Sequence, residues 1–275
     1  MTILTGKIVA GASEPFRIIH ASDTHLTYAD SRDDQRKIEL SENRSKSFPD
    51  NEKTAAEIIR LKKETGYPVI YTGDLIDFVS ELNIEKAREF TKATDCFMSA
   101  GNHEFSLYVG EAKEDEAYRN KSLDKVQTAF DNDIRFSSRI INGLNFVVVD
   151  NSYYTVDEWQ FEGLKKGVSK GLPVILCVHN PLYEESFYDY QVKKAPDEPA
   201  YLMSVPEDKM KYYSPSRYEQ QKENEVTHRF FEYVMNEPGI KGIITGHIHS
   251  SVVSLPGEKT QLSVGCTDCR IIEIL

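Results

Sequence analysis

Asp23-Thr24-His25, Gly73-Asp74, Gly101-Asn102-His103-Glu104, a solitary His179 and Gly246-His247-Ile248-His249 are the fragments of this chain best equipped for chemistry, and they take up five of its seven histidines. Carboxylate, imidazole and amide donors of this kind suit manganese, iron or zinc. Two divalent ions about 3.5 to 4 Å apart can hold a hydroxide between them and clamp both oxygens of an in-line phosphoryl displacement. Such a centre needs a carboxylate shared by both ions. Asp74, preceded by a glycine that permits close backbone approach, is the natural bridge. Asp23 and His25 lie two apart, so an extended chain projects both to one side, and His247 and His249 repeat that spacing. Asn102 adds a neutral carbonyl oxygen. Two dications bring about +4 while Asp23, Asp74 and a hydroxide bring about −3, which leaves a site able to attract phosphate.

The elements that must position these residues are legible as an alternation of strands and helices. Each fragment follows a β-type run, at 16–21, 67–71, 95–99, 173–178 and 240–245. A parallel sheet would gather all five at its carboxyl edge, where open α/β sheets carry their ligand sites. Helical spacing covers 52–65, ended by Gly66, and shorter or weaker helical patterns cover 83–93, 123–130 and 224–235. Asn142-Gly143 marks a hairpin between 139 and 149, because that dipeptide accepts the positive φ of a type I′ turn. Thr155 and Glu158 predict a capping box opening a helix to about residue 169. Three short strands follow His249, near 251–255, 261–265 and 270–274.

Two segments break this rhythm. In 28–52, 12 of 25 residues are charged and no apolar period is visible, so a solvated loop is expected, with a substrate-facing role as the alternative because it directly follows His25. Residues 183–218 hold seven of the 15 tyrosines with Lys193, Lys194, Lys209, Lys211 and Arg217. Starting four residues after His179, this aromatic and basic excursion reads either as a lid over the substrate or, with five prolines across 181–215, as an irregular, well-packed surface excursion.

Motifs spread from Asp23 to His249 must converge to be useful, which favours one continuous domain over residues 1–275. Forty per cent apolar and 28% charged residues describe an ordinary soluble globular protein. No apolar run is long enough for a membrane span, and residues 1–13 lack the features of a secretory leader, so a cytoplasmic address is expected. Cys96 and Cys177 sit in apolar runs as buried thiols, while the lone Cys266-x-x-Cys269 pair lies at a turn. A net charge of −11 lacks the basic footprint that long DNA or RNA requires, so nucleic acid is disfavoured as a partner and small phosphate esters are favoured.

Together and in this order the fragments resemble the calcineurin-like metallophosphoesterase superfamily, whose pattern D-x-H, G-D, G-N-H-D/E, H, G-H-x-H is matched without a missing member from about residue 16 to 250. The resemblance implies an α/β fold of two mixed β-sheets packed face to face, flanked by helices. It implies that Asp23, His25 and His249 hold one metal, that Asn102, His179 and His247 hold the other, and that Asp74 bridges both. His103 would face the substrate as a catalytic residue, with Glu104 orienting it and Asp77 either a similar partner or a helix cap. Protein phosphatases of the superfamily carry phosphate-clamping arginines near Phe78 and Ala100, and purple acid phosphatases place a tyrosine where Asp77 stands and a glycine at His25. Both branches are disfavoured. The resulting expectation is a binuclear phosphoric ester hydrolase acting on a nucleotide, sugar phosphate or lipid headgroup by attack of a metal-bridging hydroxide. A non-catalytic metal-binding scaffold of the same fold and a nuclease are the competing readings. His20, His228 and Asp150 are assigned to structure.

Overall fold

The runs ahead of the motifs become strands because their side chains are apolar on both faces, which suits a sheet covered on both sides. The computed structural model describes residues 1–111 and 114–275. Among these, the strands are β1 (Thr2–Ile8), β2 (Phe16–Ala21), β3 (Val69–Tyr71), β4 (Phe97–Met98), β5 (Phe136–Ile141), β6 (Leu144–Val149), β7 (Val174–Cys177), β8 (Ile240–Thr245), β9 (Val253–Ser254), β10 (Thr260–Ser263) and β11 (Asp268–Ile274). The helices are α1 (Gln35–Ser47), α2 (Asn51–Thr65), α3 (Glu81–Thr94), α4 (Glu116–Arg119), α5 (Leu123–Gln127), α6 (Glu158–Val168), α7 (Glu185–Lys194), α8 (Pro215–Gln221) and α9 (Glu225–Asn236).

The strands form two mixed sheets, ordered β1-β11-β2-β3-β4 and β5-β6-β7-β8-β10-β9. Strand alternation builds four layers. Ile18, Ile70 and Phe97 of the first sheet share a buried cluster with Phe146, Val148, Ile175 and Ile244 of the second. Their neighbours Ile19, Val69, Tyr71 and Met98 turn the other way, to Ile58 and Leu61 of α2 and Ala87 and Phe90 of α3. Val147, Val149 and Leu176 likewise meet Phe161 and Leu164 of α6 and Phe230 and Val234 of α9. Each fully buried valine, leucine, isoleucine, phenylalanine or methionine among them contributes about 1.5–3 kcal/mol.

Several sequence expectations need correction. A single parallel sheet does not carry the motifs: β2, β3 and β4 deliver three of them from one sheet, β7 and β8 deliver two from the other. Segment 28–52 is no loop, since α1 occupies its centre without burying one residue. Polar tethers replace an apolar face there: Asp34 accepts the Lys37 N–H at the amino end, and Arg44 pairs with Asp77 at the other. The helix after β6 starts behind Asp157 and not Thr155, with Gln160 Oε1 accepting the Asp157 N–H at 2.8 Å. Segment 183–218 is ordered around its own small core, in which Phe187, Leu202 and Met210 pack with Ile248 and several of the tyrosines. The Asn142-Gly143 turn has φ of 47° and 82°, as the hairpin requires. No helix among the described residues is long and apolar enough to cross a membrane.

Candidate metal centre

All nine sequence-nominated residues lie in loops that leave the carboxyl ends of β2, β3, β4, β7 and β8. The chain does not leave these strands in extended form, which corrects the expected reason for the two-residue spacing. Asp23, His25, Asp74, His247 and His249 all have positive φ, between 48° and 69°. Left-handed backbone at non-glycine residues costs roughly 1–3 kcal/mol each and survives only where surrounding bonds enforce it. Here Asp23 N–H donates to Gly73 O and His25 N–H to Asp74 O, both at 2.9 Å, while His247 N–H donates to the Asp23 carboxylate at 2.9 and 3.0 Å. Side chains are absent where these loops touch: a Cβ on Gly101 would land on Asp74, and one on Gly246 would land on Ser22 and Asp23.

The loops gather donors into two groups that share Asp74, one with Asp23, His25 and His249, the other with His179 and His247, with the donor atoms of each group within 4.8 Å of one another. His25 Nε2 is 2.9 Å from His249 Nε2, 3.7 Å from Asp74 Oδ2 and 3.9 Å from Asp23 Oδ1. His179 Nε2 is 3.2 Å from Asp74 Oδ2 and 3.1 Å from His247 Nδ1. Asn102 Oδ1 is buried and has no hydrogen-bond partner among the described residues. Imidazole nitrogens facing each other across carboxylates, beside an orphaned amide oxygen, form a donor set that fits divalent cations.

The nitrogens on the far side of three of these rings, His25, His179 and His247, are also engaged, as orientation of metal-binding histidines requires. His25 Nδ1 meets Asp77 Oδ1 at 2.9 Å, His179 Nδ1–H donates to Thr72 O at 2.6 Å, and His247 Nε2 lies 2.6 Å from the Tyr154 hydroxyl. Phe48 stacks on the His25 ring at 4.1 Å. Two expectations change. Glu104 does not orient His103; its carboxylate accepts the N–H groups of Asp74, Leu75, Ile76 and Gly101 and so ties the second loop to the third. Asp77 does orient His103, whose Nδ1–H donates to the Asp77 carbonyl at 2.8 Å with the carboxylate 3.2 Å away. Nor does Asp77 cap a helix, for it is fully buried and Ser80 caps α3. Sequence reasoning missed Tyr154, Phe48 and Thr72. Only Tyr154 had a usable signal, since it follows β6 at the same sheet edge.

Carboxylates draw His103 and His179 toward the charged form, while burial holds His25, His247 and His249 toward the neutral form in which imidazole binds a cation. Burial alone would lower the pKa of His103, yet Asp74 and Asp77 raise it to about 10. His179 is raised to about 9 against the same burial, chiefly by Asp74. Burial lowers His249 to about 4 and, with Asp74, lifts Glu104 to about 8. Away from the centre, His20 is buried, lies 2.9 Å from Thr72 Oγ1 and is pushed by burial to about 3, while His228 is exposed beside Glu223. Asp150 pairs with Arg119 and Arg135, a structural role as expected.

A cavity of about 850 Å³ opens over Asp74, Asn102, His103, His247 and His249. Tyr108, Glu114 and Tyr118 line one side, and Gln191, Tyr201, Arg217 and Gln220 from segment 183–221 line another. Tyr201 stands edge-on to His247 at 5.9 Å, and the Arg217 guanidinium lies over the Tyr201 ring at 5.5 Å.

Comparison with curated proteins finds no match. Among solved structures, a purple acid phosphatase from seeds of yellow lupin (Lupinus luteus) is 15% identical with a TM-score of 0.52, the match covering 94% of this chain and 45% of the lupin protein. A dimetal phosphatase from Danio rerio is 12% identical with a TM-score of 0.49, over 92% of this chain and 89% of that one. A putative 5′-nucleotidase from Staphylococcus aureus is 11% identical with a TM-score of 0.46, over 92% and 49%. The chain spans about half the length of the lupin and staphylococcal proteins. The lupin likeness shows the fold, two mixed sheets flanked by helices. Residues 16–251, which carry every one of the nine nominated residues, match the calcineurin-like phosphoesterase model, and the chain belongs to that family.

Proposed function

We propose that this metal-dependent phosphoesterase is a two-metal enzyme that hydrolyses a small phosphomonoester or phosphodiester, with residues 1–275 as one catalytic domain and 183–218 as its lid. The sharing of Asp74 between two donor groups carries this reading. Asp23, His25 and His249 would hold one ion, Asn102, His179 and His247 the other, and Asp74 both. Bound manganese, iron or zinc would supply Lewis acidity toward the phosphoryl oxygens and acidify water.

His103 is the group that handles a proton. Its Nδ1–H is committed to the Asp77 carbonyl, so Nε2 is the nitrogen left to act, and the ring lines the cavity. A proton held at Nε2 can pass to the departing oxygen of the ester. Glu104 does not touch substrate; it holds the Asp74 and Gly101 loops in register. Tyr201 and Arg217 offer an aromatic face and a cation to the non-reacting part of a nucleotide, sugar phosphate or lipid headgroup. The net charge of −11 supports a small substrate over long nucleic acid.

The test is metal counting by mass spectrometry together with hydrolysis of aryl phosphate mono- and diesters, for wild type and Asp74→Asn. The expectation is two ions per chain in wild type, with ions and turnover both lost in the variant. Fewer than two ions in wild type, or unchanged turnover in Asp74→Asn, would sink the reading.

A further inference from the structure

We infer that Glu114 is a positioning residue that holds the Asn102 amide with its carbonyl oxygen toward the metal centre, and that Gln220 and Arg217 link this duty to the lid. The inference rests on the proposed role of Asn102 as a metal donor. Asn102 Nδ2 donates to Glu114 Oε1 at 3.0 Å, and Asn102 Oδ1 is the buried oxygen without a partner among the described residues. An amide has nearly the same shape after a half-turn, so the groups behind it must decide which end faces the ions.

Here the decision comes from a chain of fixed polarity. Arg217 can only donate, and both Glu114 oxygens act as acceptors here, one toward the Gln220 amide N–H and the other toward the Asn102 amide N–H. Arg217 Nη1 donates to Gln220 Oε1 at 2.5 Å, Gln220 Nε2 donates to Glu114 Oε2, and Asn102 Nδ2 takes the remaining oxygen. Turning Gln220 over would face donor with donor at Arg217 and acceptor with acceptor at Glu114. Turning Asn102 over would set its oxygen against the carboxylate. Both flips are therefore opposed, and the Asn102 oxygen is left for a cation. Gln220 and Arg217 belong to α8, on the lid side of the cavity, whereas Asn102 follows β4. A shift of Arg217 in the lid thus reaches a metal donor through three side-chain hydrogen bonds.

The experiment dialyses the manganese-loaded full chain against graded chelator and counts the ions retained. Wild type is expected to hold two, and Glu114→Ala to release one of them about 10 to 100 times more readily while keeping the other. Gln220→Ala, which leaves one Glu114 oxygen to water, should loosen the same ion by a smaller factor. Asn102→Asp has an oxygen at either end, so orientation ceases to matter, and adding Glu114→Ala to it should cost nothing further. Should Glu114→Ala fold poorly, Gln220→Ala still decides the matter. Two ions in wild type with an unshifted Glu114→Ala curve, an equal penalty in both position-102 backgrounds, or an unshifted Gln220→Ala curve would overturn the relay and leave the metal centre standing. Fewer than two ions in wild type would overturn both.

Discussion

Asp77 Oδ1 lies 2.9 Å from His25 Nδ1, and this contact fixes which ring nitrogen His25 turns toward Asp23, Asp74 and His249. The same carboxylate takes two bonds from Arg44, at 2.6 and 2.8 Å, and stands behind His103. Asp77→Asn removes a charge on which three groups depend. We expect it to weaken metal retention by roughly 10- to 100-fold and to lower the melting temperature, measured by dialysis with metal counting and by thermal unfolding.

His103→Ala should separate binding from chemistry. The ring is absent from the two donor groups that share Asp74, so the ions should stay while turnover on an aryl phosphate falls by roughly 10² to 10⁴. Metal content and steady-state rates measured on the same preparation check this. Unchanged turnover would remove His103 from the mechanism.

Asp150 makes a pH prediction remote from the metals. Burial alone would raise its pKa, but Arg119 and Arg135, with the Ser152 hydroxyl and N–H, hold it below the ordinary 3.8. A depressed carboxyl stabilises the fold fully above its unfolded value, and that contribution is lost as pH falls through the lower folded value. Melting temperature should therefore drop in the acid limb below about pH 4, and Asp150→Asn should flatten that limb. At pH 7 the variant should lose up to about 3 kcal/mol, because the buried Arg119 guanidinium is left without its anion while Arg135 keeps Asp157. An acid limb identical to wild type would refute the assignment.

Gly101→Ala tests the close packing of the second and third loops. The new methyl would occupy the space of the Asp74 carboxylate, so the bridge must move. We expect a loss of about 1–3 kcal/mol in stability accompanied by loss of bound metal. Chemical denaturation and metal counting read the two effects separately.

The primary structure by itself specified which side chains can coordinate a cation, and that apolar runs precede them, because donor type and strand periodicity are properties of neighbouring residues. The hairpin at Asn142-Gly143 and the end of α2 at Gly66 were legible for the same reason: a local φ requirement written in a local residue type. Helix α1 was not, since it is held by Asp34 and by an ion pair to Asp77 and not by an apolar stripe. Folding alone decided that Asp77, 52 residues from His25, orients it, while Glu104, adjacent to His103, binds backbone instead. It also decided that five of the donor residues adopt left-handed backbone, and that two sheets supply the loops. Hydrogen-bond partners and strained dihedrals are set by which loops meet at a sheet edge, and that meeting is fixed by the burial of two sheets against each other, a cooperative property absent from any short stretch of chain.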